Sequence, residues 1–88
     1  MERFEEKIIV NNEHGLHARP AALFVQITNK YDSTVRLRKD DEIVDAKSII
    51  GILSLGVQKG SQITLIVEGD DAEEAFKELK DFLGTDHE

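Results

Sequence analysis

The pattern of apolar and polar positions along the chain predicts both strands and helices. Short runs that alternate in polarity or are rich in β-branched residues indicate strands, and these runs lie at residues 4–10, 34–39, 43–45 and 62–68. Two longer segments place apolar residues at helical spacing instead, and they cover residues 18–29 and 72–83. The apolar stripe of the first helix is formed by Ala21, Leu23, Phe24 and Ile27.

A further, short helix is predicted over residues 49–55. Ser48 precedes this segment and offers a hydroxyl suited to capping its first turn, while Gly56 follows it as a residue suited to a helix end. Gly51 lies inside the segment and weakens the helical pattern, because glycine has a low helix propensity. The complete order of predicted elements is βαββαβα.

These elements predict an α+β fold in which helices and a sheet form two layers. One domain over residues 1–88 is expected, because a chain of this length buries only about 60–65% of its unfolded surface and supports a single core. Two amphipathic helices can cover the apolar face of a four-stranded sheet, which gives an open-faced sandwich. Hairpins and helical crossovers both suit a mostly antiparallel sheet, but periodicity leaves the strand order open.

Composition excludes several classes of function. With 11 Lys and Arg against 18 Asp and Glu, the chain has a formal net charge of −7, which argues against direct nucleic-acid binding. Many of the acids lie within residues 70–81, and we interpret them as a solvated helix face. The absence of cysteine excludes disulfides and thiolate chemistry. No apolar run is long enough for a membrane span or a secretory signal, so we expect a cytoplasmic protein without membrane insertion.

One motif points to phosphate chemistry, and it reads Gly15-Leu16-His17-Ala18-Arg19-Pro20-Ala21-Ala22. Residues 11–15 are typical of a turn, and Pro20 suits the first turn of a helix, so the helix is expected to begin at or just after His17. Backbone N–H groups, including that of Ala18, and the positive end of the helix dipole would then lie near the imidazole. Arg19 adds planar donors that match phosphate oxygens. The neutral ring of His17 is therefore a candidate nucleophile toward phosphorus.

The same residues also allow less specific interpretations. A histidine beside a helix start is often a capping or solvent-facing residue, and most surface arginines are only solvated. The remaining histidines, His14 and His87, are interpreted as surface residues in a loop and in the C-terminal tail. Three scattered histidines do not have the spacing of a metal site.

The motif closely resembles that of the HPr family, as does a second run, Lys47-Ser48-Ile49-Ile50-Gly51-Ile52-Leu53-Ser54-Leu55-Gly56. HPr proteins are the histidine-containing phosphocarriers of the bacterial phosphoenolpyruvate-dependent sugar phosphotransferase system. The resemblance covers nearly the whole chain and implies strand order 1-4-2-3, with three helices on one face of the sheet. It also implies a phosphoryl carrier and not an enzyme, with no cofactor. Nδ1 of His17 would accept a phosphoryl group from enzyme I and pass it to the EIIA component of a sugar permease.

The short helix carries more apolar side chains than one buried stripe requires, so some of them should face solvent. Ile52 and Leu55 are expected in the core. The resemblance implies that partner proteins contact the following residues: Ala22, Ile49, Ile50 and Leu53. At two of these positions family members often carry Met or Phe. Ile50 and Leu53 depart from the Met variant, which should make the surface stiffer and less adaptable.

Ser48 has two interpretations, because a serine before a short helix is most simply a capping residue. Its surroundings, Lys-Ser-Ile-Ile-Gly, also resemble the regulatory site of the Gram-positive branch of the family. There an ATP-dependent HPr kinase phosphorylates the matching serine, and the product binds the catabolite control protein. A phosphate would bring a charge of about −2 to the docking surface and should weaken binding to enzyme I.

Two alternative functions remain at this point. The chain could be a nitrogen-branch or purely regulatory HPr paralogue, although the presence of both His17 and Arg19 favours a protein that is phosphorylated on histidine. An acyl-carrier-type domain would also be small and acidic, but it would be an all-helical bundle with an aspartate directly before the modified serine. In this chain Ala46 and Lys47 precede Ser48. We expect a monomer.

Overall fold

Four strands form one antiparallel sheet in the order β1-β4-β2-β3, which confirms the order implied by the resemblance. The structure is a computed structural model that describes residues 1–85. The strands are β1 Glu2–Ile9, β2 Thr34–Lys39, β3 Glu42–Asp45 and β4 Gln62–Gly69. β1 begins two residues before the predicted start because Glu2 pairs with Gly69 at the far end of β4. Glu2 and Arg3 are polar, so the apolar pattern does not indicate this part of the strand.

Three helices complete the fold, namely α1 Ala18–Thr28, α2 Ile49–Ser54 and α3 Ala72–Gly84. The predicted order βαββαβα is confirmed. The helix bounds agree with the prediction to within one residue. A four-stranded sheet also contradicts the all-helical acyl-carrier alternative.

The core lies between the helices and the inner face of the sheet. β4 pairs on both sides, with β1 and with β2, and it contributes Ile63, Leu65 and Val67 to this core. Phe24 of α1 and Phe82 of α3 meet with ring centroids 5.8 Å apart and join the two long helices. The predicted stripe of α1 is thus confirmed for Ala21, Phe24 and Ile27, whereas Leu23 is 39% exposed.

Two carboxylates hold the loop between α1 and β2: that of Asp71, which directly precedes α3, and that of Glu78 within α3. Asp71 accepts hydrogen bonds from the hydroxyl and the backbone N–H of Ser33, and the hydroxyl bond is the main reason that the pKa of Asp71 is lowered. Glu78 accepts from Lys30 at 2.7 Å and from Tyr31 at 2.5 Å. These bonds lower the pKa of Glu78, and the bond to the carboxylate raises the pKa of Tyr31 to about 12. The loop that follows the C-terminal end of α1 is therefore fixed to α3.

Candidate functional site

His17 is the residue that immediately precedes α1. Its backbone is extended, with φ −78° and ψ −171°, and its side chain is exposed and makes no capping hydrogen bond. The prediction that the helix begins just after His17 is confirmed, whereas the interpretation of the imidazole as a capping group is wrong. The imidazole thus lies at the start of α1 without capping the helix.

The first turn of α1 presents two backbone N–H groups toward the region before the helix. The first intrahelical hydrogen bond runs from the N–H of Ala21 to the carbonyl of His17, at 2.8 Å. Pro20 has no N–H, so the N–H groups of Ala18 and Arg19 are the ones that the helix leaves without an internal acceptor. Together with the positive end of the helix dipole they can bind an anion carried by the ring of His17.

The guanidinium of Arg19 adds a positive charge in the same turn. Its side chain is exposed, and it forms no ion pair with any carboxylate among residues 1–85. Its donors are consequently available to a phosphate at the helix start.

The loop before His17 is held against the chain segment that follows α2. Gly15 has φ +62°, and a Cβ at this position would lie 2.6 Å from Cα of Gln58 and collide with the carbonyl of Val57. The adjacent Leu16 is buried and donates its N–H to the same carbonyl of Val57 at 3.0 Å. The start of the first motif therefore lies against the segment that directly follows the second motif, in a close backbone approach that only glycine allows.

A second tether joins this loop to the end of α3. The backbone N–H of Asn11 donates to the carbonyl of Leu83 at 3.0 Å, and the side-chain amide of Asn12 donates to the carbonyl of Thr85 at 3.2 Å. Asn12 is fully buried. These two asparagines were interpreted from sequence only as turn residues, because nothing in the local pattern signals a contact with the distant C-terminal helix.

Ser48 caps α2, as the simpler of its two interpretations predicts. Its Oγ accepts a hydrogen bond from the N–H of Gly51 at 3.2 Å, and the residue is exposed. The hydroxyl oxygen is thus at the surface, at the start of the helix that carries the exposed apolar residues.

The division of α2 into buried and exposed apolar residues also follows the prediction. Ile52 and Leu55 are buried, while the exposed fractions are 37% for Ile49, 76% for Ile50 and 42% for Leu53. On α1, which contacts α2, Ala22 is half-buried and Leu23 is exposed. We call the following five residues the apolar patch: Ala22, Leu23, Ile49, Ile50 and Leu53. Leu23 was missed because its position fits a buried helix stripe. The signal that could have identified it is its position four residues after Arg19, on the same helix face.

The other candidates for chemistry add nothing to the site. His14 is exposed in the loop before the motif, and His87 lies outside the described residues. Within residues 1–85, no three His, Asp or Glu side chains are arranged so that they could hold a metal ion. Within the same range, every helix is too short or too polar to cross a membrane.

Comparison with known proteins supports the resemblance seen in the sequence. Residues 4–85 match the family model described as PTS HPr component phosphorylation site. The chain is 47% identical to the HPr-like protein Crh of Bacillus subtilis over 79 residues, which cover 90% of this chain and 93% of that protein. It is 43% identical over 83 residues to the phosphocarrier protein HPr of Haloferax volcanii, with coverage of 92% and 93%.

Solved structures share the fold. The crystal structure of the phosphocarrier protein HPr from Bacillus anthracis matches with a TM-score of 0.90 and 43% identity, covering 94% of this chain and 99% of that one. Structures of the same fold also include dimers of Bacillus subtilis Crh and of Thermoanaerobacter tengcongensis HPr. These dimers do not support the expectation of a monomer.

Proposed function

The chain belongs to the HPr family of phosphocarrier proteins, and we propose that it carries a phosphoryl group on His17 from enzyme I to the EIIA components of sugar permeases. The observation that supports this most directly is the exposed imidazole at the start of α1, which makes no capping hydrogen bond. A ring in that position can be reached by two different partner proteins in turn.

The chemistry consists of two displacements at phosphorus. In the first, the lone pair of Nδ1 of His17 attacks phosphorus while the bond from phosphorus to phospho-enzyme I breaks. In the second, a nucleophile of EIIA attacks the same phosphorus and the bond to Nδ1 breaks, which restores the neutral ring. Each displacement needs an in-line approach of the attacking and leaving atoms, so the ring has to be exposed within the interface. The N–H groups of Ala18 and Arg19 can bind the phosphoryl oxygens in the carrier state.

The experiment that tests this function is incubation with phosphoenolpyruvate and enzyme I, followed by intact mass spectrometry before and after mild acid. We expect one phosphoryl group that is lost in acid, because a phosphoramidate hydrolyses there whereas a serine phosphate persists. The absence of any adduct, or an adduct that is stable in acid, would contradict the carrier function.

Replacing Arg19 by alanine is expected to slow phosphoryl transfer by about tenfold to a hundredfold. A charge-assisted hydrogen bond contributes about 1.5–3 kcal/mol, and about 1.4 kcal/mol corresponds to a factor of ten. Transfer rates from enzyme I and to EIIA should be compared with those of Arg36→Ala. That control removes the same charge from an exposed arginine of β2 whose nearest carboxylate, that of Glu68, is 4.0 Å away. Equal rates for the two variants would show that Arg19 has no role in transfer.

We also propose that an ATP-dependent HPr kinase phosphorylates Ser48 and that the product binds the catabolite control protein. Its exposed hydroxyl at the start of α2 and the similarity to Crh support this proposal. A phosphate at Ser48 would adjoin Ile49 of the apolar patch, so a charged group would have to lose water whenever enzyme I covers that patch.

Replacing Ser48 by aspartate is therefore expected to reduce the rate of phosphoryl transfer from enzyme I several-fold at low enzyme I concentration. Ser48→Asn is the matched control, because asparagine and aspartate have similar shapes and both cap helices well, but only aspartate adds charge. The readout is the initial rate of His17 phosphorylation. If Ser48→Asp and Ser48→Asn react at the same rate, charge at this position does not control docking.

A second candidate function is that of a regulatory or nitrogen-branch paralogue, and the similarity to Crh favours the regulatory form. A regulatory protein would be modified by HPr kinase but would not acquire an acid-labile phosphoryl group from enzyme I. For the nitrogen branch, the partner that receives the phosphoryl group would differ.

We propose a cytoplasmic monomer for the carrier. Because its structural neighbours include dimers, the oligomeric state should be measured by light scattering of the purified protein.

A further inference from the structure

Lys39, the last residue of β2, reaches the C-terminal end of α2. Its ammonium group donates hydrogen bonds to the carbonyl oxygen of Leu55 at 3.3 Å and to that of Gly56 at 3.1 Å. These two residues directly follow Ser54, the last residue of the helix. The carbonyl groups at a helix end have no acceptor role within the helix, and a positive charge there also interacts favourably with the helix dipole.

The direction of this side chain is informative because acidic residues lie next to Lys39 in the sequence. Lys39 is followed in the β2–β3 hairpin by three acidic residues, Asp40, Asp41 and Glu42. A cleft of about 380 Å³ separates this hairpin from α2 and is lined by Lys39, the three acids and Leu55. The half-buried lysine crosses the cleft to the helix carbonyls, so it links the end of the sheet to the end of α2.

A helix of six residues depends on such links. One and a half turns contain too few internal hydrogen bonds to hold the helix by itself. At its start, the Oγ of Ser48 accepts from the N–H of Gly51. At its end, the N–H groups of Leu55 and Gly56 donate to the carbonyl oxygens of Ile52 and Leu53, respectively. The carbonyl oxygens of Leu55 and Gly56 accept hydrogen bonds from the ammonium group of Lys39. Both ends of α2 are therefore fixed by a side chain.

We propose that Lys39 is a positioning residue for partner docking: it fixes the C-terminal end of α2 and with it the orientation of Ile50 and Leu53 in the apolar patch. The proposal rests on the carrier function, in which that patch meets enzyme I and EIIA. Without the ammonium group, the last turn of α2 opens more often, and a partner has to order it when it binds. Ordering a loosened segment weakens association without changing the reacting groups.

The test compares Lys39→Met with Lys77→Met, which removes the same charge from an exposed lysine of α3 that pairs with Glu73. Amide hydrogen exchange is measured at Leu55 and Gly56, with residues of β4 as the reference for global stability. We expect exchange at the end of α2 to be about three to ten times faster in Lys39→Met than in the control, in proportion to the loss of one charge-assisted anchor. Lys39→Arg should restore slow exchange, because arginine can donate to the same two carbonyls.

The second measurement is steady-state phosphorylation by enzyme I. Lys39→Met should raise KM by at most the factor seen in exchange, because KM follows the fraction of molecules with an ordered α2, and it should leave kcat unchanged. A merely destabilised protein would show faster exchange in β4 as well. Unchanged exchange at Leu55 and Gly56 would overturn the anchor, and faster exchange with an unchanged KM would overturn its role in docking. A wild-type protein that enzyme I fails to phosphorylate would instead contradict the carrier function, and the exchange measurement would still test the anchor by itself.

Discussion

Replacing His17 by alanine is expected to abolish the acid-labile phosphoryl group that phosphoenolpyruvate and enzyme I add to the wild-type protein. The exposed ring at the start of α1 is the proposed nucleophile, and alanine offers no lone pair in its place. Stability should change by less than about 0.5 kcal/mol, because the side chain is at the surface and makes no capping bond. Loss of phosphorylation would thus be a loss of chemistry in a folded protein.

The measurement is intact mass spectrometry before and after mild acid, together with a thermal unfolding curve for each variant. His14→Ala is the control, because it removes an exposed imidazole from the same loop, three residues earlier. It should be phosphorylated like the wild type. An acid-labile phosphoryl group on His17→Ala, or its loss in His14→Ala, would show that the reacting residue is a different one.

The elements of the fold were largely predictable because each follows from local patterns. Pro20 and the preceding turn residues predict the start of α1, and the β-branched run of residues 62–68 predicts the strand β4. Leu23 was assigned to the wrong side of α1 since a helix stripe is wide enough to admit residues at its edge. The order of the strands could not be derived from periodicity, because alternation reports which face a residue takes and not which strand lies beside it. It came from the resemblance to the family, and the structure confirms it.

The chemical groups of the candidate site were predictable from the sequence, but the contacts that hold the loop before His17 were not. His17 and Arg19 are adjacent in sequence, so their relation to the helix start follows from local rules. The contacts that hold the loop come from far along the chain: Val57 contacts Leu16, and Thr85 contacts Asn12. No local pattern in the sequence reports such pairs. Gly15 was interpreted as a turn residue, whereas the structure shows that its missing side chain is also what lets the loop approach the segment after α2.

Replacing Gly15 by alanine is accordingly expected to cause the largest loss of stability among the proposed variants, about 2–5 kcal/mol. A non-glycine residue at φ +62° contributes about 1–2 kcal/mol of that loss, and a methyl group forced into closely packed backbone contributes about 1–3 kcal/mol more. The methyl group would meet the carbonyl of Val57 and the Cα of Gln58, which are backbone atoms and cannot move aside as a flexible side chain could. The fold must shift the loop instead, and Leu16 then loses its hydrogen bond to Val57.

Gly56→Ala separates these two contributions. Gly56 has nearly the same φ, +63°, but a Cβ there would meet no atom within 4 Å. Chemical denaturation should therefore show a loss of only about 1–2 kcal/mol for Gly56→Ala, the part that arises from conformation alone. In denaturant-free buffer, the folded fraction of Gly15→Ala should also transfer its phosphoryl group more slowly than the wild type, because the loop that carries His17 is displaced. Equal losses of stability in the two variants would mean that the close approach at Val57 is not what requires glycine at position 15.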